Sequence, residues 1–154
     1  MSQGCLAALF GIKEKASPAA PVSSGYPYAL RNYLLTKAEN SFYHVLKSAL
    51  PAGSVIMCKV RLSDVLFVER NEGGKADWNR INQKHIDFLI CEEGALRPRL
   101  AIELDDASHQ SERAIDRDEF LVGALDAAGL PLLRIRAART YVAQDLRRDL
   151  AELL

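Results

Sequence analysis

No sign of charge dominates this 154-residue sequence: twenty Lys and Arg stand against twenty Asp and Glu. The whole molecule therefore has no strong attraction for DNA or RNA. That balance argues against a simple coating protein, while leaving room for a local basic surface beside an acidic cleft. Cysteine is scarce and odd in number. Cys5, Cys58 and Cys91 are far apart and form no CxxC pair, which argues against a disulfide framework or a zinc ribbon. Cys58 and Cys91 lie in apolar, strand-like runs, so buried free thiols in a reducing compartment, the cytoplasm, are expected. No apolar run is long enough to cross a bilayer, and no membrane partner is expected. The segment Cys5 to Phe10 is short and has no basic leader, unlike a secretory signal. A glycine-rich phosphate loop, internal repeats and low-complexity tracts are also lacking, so a nucleotide-hydrolysing motor has no visible engine.

What is present is ordinary globular composition, 49% hydrophobic and 26% charged, enough for one domain with a sizeable core. Ser17-Pro18, Pro21 and Ser23-Ser24-Gly25 predict an irregular N-terminal arm over 1–33. The domain then occupies 34–154. Thr36-x-x-Glu39 reads as a capping box that starts a helix, with Phe42, Tyr43, Leu46 and Leu50 as its apolar stripe and Pro51 and Gly53 as its end. Ile56, Cys58, Val60 and Leu62 share a two-residue phase and predict a strand with one buried face. Val65 to Val68 prolongs that strand, bends it or forms a short helical turn. Residues 69–84 carry Gly73-Gly74 and few apolar anchors, so a long loop is expected. His85 to Cys91 and Arg99 to Asp105 predict a hairpin turning at Glu92-Glu93-Gly94. A second helix is expected from about Ser111 to Ala128, burying Ile115, Leu121, Ala124, Leu125 and Ala128, with Gly129 as its cap and Pro131 beyond. Leu132 to Ile135 predicts a last strand, and Leu146, Leu150 and Leu153 the buried face of a last helix. The order α-β-β-β-α-β-α implies a mixed β-sheet flanked by helices.

The residues that carry chemistry are acids on strands. Asp87 sits in an apolar run, where an unpaired charge is costly. Glu103 and Asp105 are two apart, on one sheet face, with Leu104 pointing away. If Asp87 meets Glu103 across the hairpin, the cluster raises the proton affinity of one acid unless a cation compensates it. Mg²⁺ or Mn²⁺ suits such hard oxygens. The plain alternative is a solvated strand edge or a salt-bridge network. Asp106 and His109 follow: either a helix-start acid and a surface histidine, or a pair that moves a proton. Glu39 reads as a helix cap, or as an acid aimed at the sheet to complete a metal site.

Three blocks, Leu35-Thr-Lys-Ala-Glu-Asn-Ser-Phe-Tyr43, Lys84-His-Ile-Asp-Phe-Leu-Ile-Cys91 and Ala101-Ile-Glu-Leu-Asp-Asp-Ala-Ser-His109, resemble a bacterial domain family of unknown function. That family lies within the PD-(D/E)xK, restriction-endonuclease-like superfamily, near the very short patch repair endonucleases. Arg113-x-x-x-Arg117-Asp118 and Gly129-Leu-Pro-Leu-Leu-Arg-Ile135 extend the resemblance over most of 34–150. It implies a core of order α-β-β-β-α-β. Glu39 is then the acid of the first core helix, Asp87 the metal-binding acid of the second strand and Glu103 the first acid of the third-strand motif. The usual third-strand lysine is Asp105 here. Asp105 recruiting metal, His109 taking over proton transfer, and Lys84 reaching in from beside Asp87 are three ways to make good its absence.

The resemblance implies a metal-dependent phosphodiester hydrolase acting on DNA, in repair or defence, with Glu39, Asp87, Glu103, Asp105 and His109 as its catalytic set. The alternatives are a nuclease-fold domain that binds nucleic acid or protein without catalysis, and a purely structural module. Arg113 and Arg117 share a helix face and either pair with nearby acids or position phosphate. Lys84 and Arg134 are further candidates for nucleic-acid contact. Arg134, Arg136, Arg139, Arg147 and Arg148 form either one basic patch or a dispersed surface. Trp78 is expected to pack beneath the long loop rather than to stack on a base. A homodimer and a partner protein both remain open.

Overall fold

The computed structural model describes residues 25–69, 74–105 and 112–154, the side chains of 112–118 excepted. The chain forms two units, Met1–Asn32 and Tyr33–Leu154. In the first, Tyr26 and Tyr28 are exposed, with their rings stacked 6.2 Å apart. The second holds α1 (Lys37–Ala49), β1 (Ser54–Arg61), α2 (Leu62–Val65), α3 (Lys75–Asn82), β2 (His85–Glu92), β3 (Pro98–Asp105), α4 (Glu112–Ala127), β4 (Leu132–Arg136) and α5 (Ala143–Ala151). The strands form one mixed sheet in the order β1-β2-β3-β4, with the first two pairings antiparallel and β3-β4 parallel. This is the predicted α/β architecture with two further helices.

The capping box forms as the sequence predicts: the Thr36 hydroxyl accepts from Glu39 N–H, and the Glu39 carboxylate from Thr36 N–H. Helix α1 buries Phe42, Leu46 and Ala49 against Phe88, Ile90, Leu100 and Ile102, and α5 adds Leu146 and Leu150. Leu153 packs on this cluster from beyond the helix. The Phe42 ring meets Phe88 at 5.4 Å and Tyr141 edge-on at 5.0 Å. On the opposite sheet face Leu62, Ile81, Ile86, Leu89, Cys91 and Ala101 pack with Leu121, Leu125 and Leu130. Leu100 to Glu103 of β3 are buried in succession, as expected of a strand covered on both faces. Gly129 takes φ 69° after α4, as a helix-ending glycine should. Ala128 is exposed rather than buried, and Ile115 lies outside the described side chains.

Three expectations change. First, β1 does not bury one face throughout: Ile56 and Cys58 pack with the α1 cluster, whereas Val60 and Leu62 join the other. The switch falls at Lys59, whose φ of 55° is left-handed. Such backbone breaks the alternation on which a one-face reading depends. Second, 69–84 is no structureless loop. Within it α3 forms, anchored by the buried Ile81, and Val65 to Val68 begins as the end of the helical turn α2. Ile81 docks this two-turn helix together with Asn82, whose Oδ1 accepts from Ser63 and Arg61, and Arg80, which lies over the Phe120 ring. Third, Trp78 stays 48% exposed instead of packing down. Cys58 and Cys91 are free thiols, Cys91 buried and Cys58 half-buried, and burial raises the pKa of each.

Candidate functional site

The break in β1 is where the predicted acids meet. The β1-β2 register runs from Cys58↔Phe88 to Val60↔Ile86, with Lys59 between. From there the Lys59 ammonium lies 2.6 Å from Asp87 Oδ1 and 2.8 Å from Glu39 Oε1. Glu39 thus does both things its position suggests: Oε2 caps α1 and Oε1 holds Lys59. On the other side of Asp87 the β2-β3 pairs stop at Phe88↔Ile102 among the described residues. Side chains then replace the ladder. Asp87 N–H donates to Glu103 Oε1 at 3.1 Å, and Leu104 N–H donates to Asp87 Oδ2 at 3.1 Å. Two backbone donors that would otherwise be lost from the ladder are thereby satisfied, which fixes both carboxylates.

The electrostatics follow from this geometry. Burial pushes the Glu39 carboxyl up, but Lys59 and the Thr36 donors outweigh it, so its pKa falls below the ordinary 4.5. Burial pulls Lys59 down, and its bonds to Asp87 and Glu39 outweigh that too, so its pKa rises above 10.5. A basic side chain therefore compensates the acids. Sequence reasoning missed it because Lys59 falls in the outward phase of a regular strand. The available signal was that Lys59 is the only charge from Val55 to Val60, as Asp87 is the only acid from His85 to Cys91.

Asp105 takes a separate place. Arg134 of β4 grips it with two hydrogen bonds of 2.7 and 2.9 Å, although Arg134 is the strand partner of Glu103. Leu104 packs on the α1 cluster, so Glu103 and Asp105 share the other phase, as predicted. Lys84 lies 5.2 Å, and Arg80 4.1 Å, from the centre of the Phe120 ring. Arg147 donates to Ser48 O and joins α5 to α1, and Arg148 lies near Asp145 and Asp149. These two arginines are thus engaged locally. Asp106 and His109, and the side chains of Arg113 and Arg117, lie outside the described residues.

As a metal site the cluster offers Asp87 and Glu103, joined through backbone, with hard oxygens of the kind Mg²⁺ takes. Among the described residues no three His, Cys, Asp or Glu are placed to ligate one ion. The donor chemistry fits with two ligands, and Lys59 stands where Glu39 would supply a third. A groove of about 750 Å³ between α3 and α4 includes none of Glu39, Lys59, Asp87 and Glu103.

The family model described as a protein of unknown function, DUF2726, matches residues 31–153. An uncharacterized protein, y4bI, of the bacterium Sinorhizobium fredii is 31% identical over 125 residues, covering 79% of this chain and 86% of its own length. No solved structure matches the chain significantly.

Proposed function

We propose, from the premise that the chain belongs to the DUF2726 family, that it is a metal-dependent phosphodiester hydrolase acting on DNA, of the PD-(D/E)xK kind and near the patch-repair endonucleases. The observation that carries this reading is the convergence of Glu39, Lys59, Asp87 and Glu103 at one interruption of the sheet. Asp87 and Glu103 would hold Mg²⁺ or Mn²⁺, which when bound supplies Lewis acidity at the phosphoryl oxygen. Lys59 brings a fixed ammonium to the same place. It is suited to stabilise the negative charge that develops as the phosphodiester is attacked, and it makes good the lysine that Asp105 displaces from β3. Glu39 orients that ammonium. Repair or defence in the cytoplasm is the setting this chemistry fits.

One observation favours a second reading. Lys59 already balances Glu39 and Asp87, so the cluster is satisfied without a metal ion, as in a domain that binds nucleic acid or protein without cutting.

Incubating the full chain with labelled single-stranded, duplex and mismatched DNA, and with RNA, in Mg²⁺ or Mn²⁺ separates the two. The hydrolase reading expects cleavage that falls by about 10²-fold or more in Asp87→Asn, Glu103→Gln and Lys59→Met, with circular dichroism confirming the fold. Cleavage unchanged in Asp87→Asn removes that residue from the mechanism. Binding without cleavage under all conditions favours the second reading.

A further inference from the structure

The face switch at Lys59 has a neighbour. Val60, Leu62 and Ile86 turn into the second apolar cluster, so strand alternation gives Arg61 and His85 the opposite phase. At the break one step back along the two strands, Lys59 reaches Glu39 on α1 and Asp87 on β2. Arg61 and His85 are themselves cross-strand partners, at the next step of the register beyond Val60↔Ile86. Both are exposed. Lys59, Arg61 and His85 line one groove of about 530 Å³ along β1, a sheet edge, together with Asp64 and with Val60, Val65, Leu89 and Cys91 of the second cluster.

Neither Arg61 nor His85 has a carboxylate partner among the described residues. Arg61 makes one long hydrogen bond, 3.4 Å, to the neutral Asn82 Oδ1, which it loses cheaply on turning. The Arg61 guanidinium and an imidazole N–H of His85 are both donors from which an anion can accept hydrogen bonds. Arg61 follows Lys59 by two residues on β1, and His85 precedes Asp87 by two on β2, about 6.7 Å of backbone in a regular strand. The guanidinium fork matches the paired oxygens of a phosphate.

We infer that Arg61 and His85 form a phosphate-binding subsite for a nucleic-acid backbone, holding the phosphate next to the one at Lys59, Asp87 and Glu103. The placement beside a reacting phosphate rests on the proposed hydrolase reading; the binding itself does not. The pair positions substrate and leaves the reacting atoms to the carboxylates.

The test is fluorescence anisotropy of the full chain with fluorescein-labelled DNA and RNA oligonucleotides in EDTA, over a series of salt concentrations. The Arg61→Ala/His85→Ala double variant is expected to bind about tenfold more weakly, with a salt slope smaller by about 1 to 2. Arg148→Ala, whose guanidinium lies near acids on α5, is expected to bind as the parent does. Both changed side chains are exposed, so an unchanged thermal melt should accompany the loss. Equal affinity in the double variant, or no binding of either nucleic acid by the parent, overturns the subsite. Because no divalent ion is present, the outcome is separable from catalysis. Weakened binding in a protein that never cleaves leaves the subsite and removes the hydrolase. Cleavage with an unchanged KM in the double variant does the reverse.

Discussion

Lys59 concentrates two costs and one gain. Its backbone is left-handed, about 1 kcal/mol or more for a residue with a Cβ, and its ammonium is half withdrawn from water. The gain is that it stands between Glu39 and Asp87, two carboxylates that would otherwise repel. Lys59→Ala keeps the strained backbone and removes the charge between the acids. With the lysine side chain 31% exposed, the expected loss lies between that of exposed and buried pairs, about 2 kcal/mol. Lys59→Gly removes the same charge but relieves the backbone, so it should be the more stable of the two by about 1 kcal/mol. That order is the reverse of what an ordinary strand position gives. Urea denaturation of both variants decides it, and an alanine variant at least as stable as the glycine one would show that the left-handed geometry is not imposed by the fold.

At the scale of elements, α1 ties helix capping to the site through one side chain. The Glu39 carboxylate accepts twice, from Thr36 N–H and from Lys59. Thr36→Ala should cost about 1 kcal/mol in urea denaturation. It leaves in place the Thr36 N–H and the Lys59 ammonium that hold the Glu39 carboxylate, so ¹³C titration of that carboxyl should still show a lowered pKa. The elements most open to sequence reading were those fixed by local rules: the Thr36 capping box, the Gly94 turn between β2 and β3, and Gly129 after α4. Short apolar runs of strand composition gave β2 and β3, and with them Asp87 and Glu103 as candidate neighbours. What stayed hidden was non-local or broke a period. Lys59 reaches the acids only because φ 55° interrupts β1, and α3 is held by Ile81 inside a stretch whose composition is that of a loop. Arg134 gripping Asp105 depends on the parallel β3-β4 pairing, which no local pattern encodes.

For the whole molecule, the same cluster sets how stability depends on pH, because net charge is near zero and long-range self-repulsion is small. Glu39 has a folded pKa below its ordinary 4.5, so the folded state favours its ionised form. Its contribution is fully present above about pH 4.5 and is lost as pH falls through the depressed folded value. Lys59 has a folded pKa above 10.5. Its contribution is fully present below that value and is lost as pH rises through the raised one. Both groups ionise together across the neutral range, so between the two limits this cluster adds no slope. Urea denaturation as a function of pH should therefore show an acid limb below pH 4.5, and an alkaline limb above 10.5. Lys59→Met should flatten the alkaline limb, and should weaken the acid limb as well, because the same ammonium keeps Glu39 ionised. Should the acid limb persist unchanged in Lys59→Met, acids elsewhere in the chain govern it and the cluster is not the source of acid sensitivity.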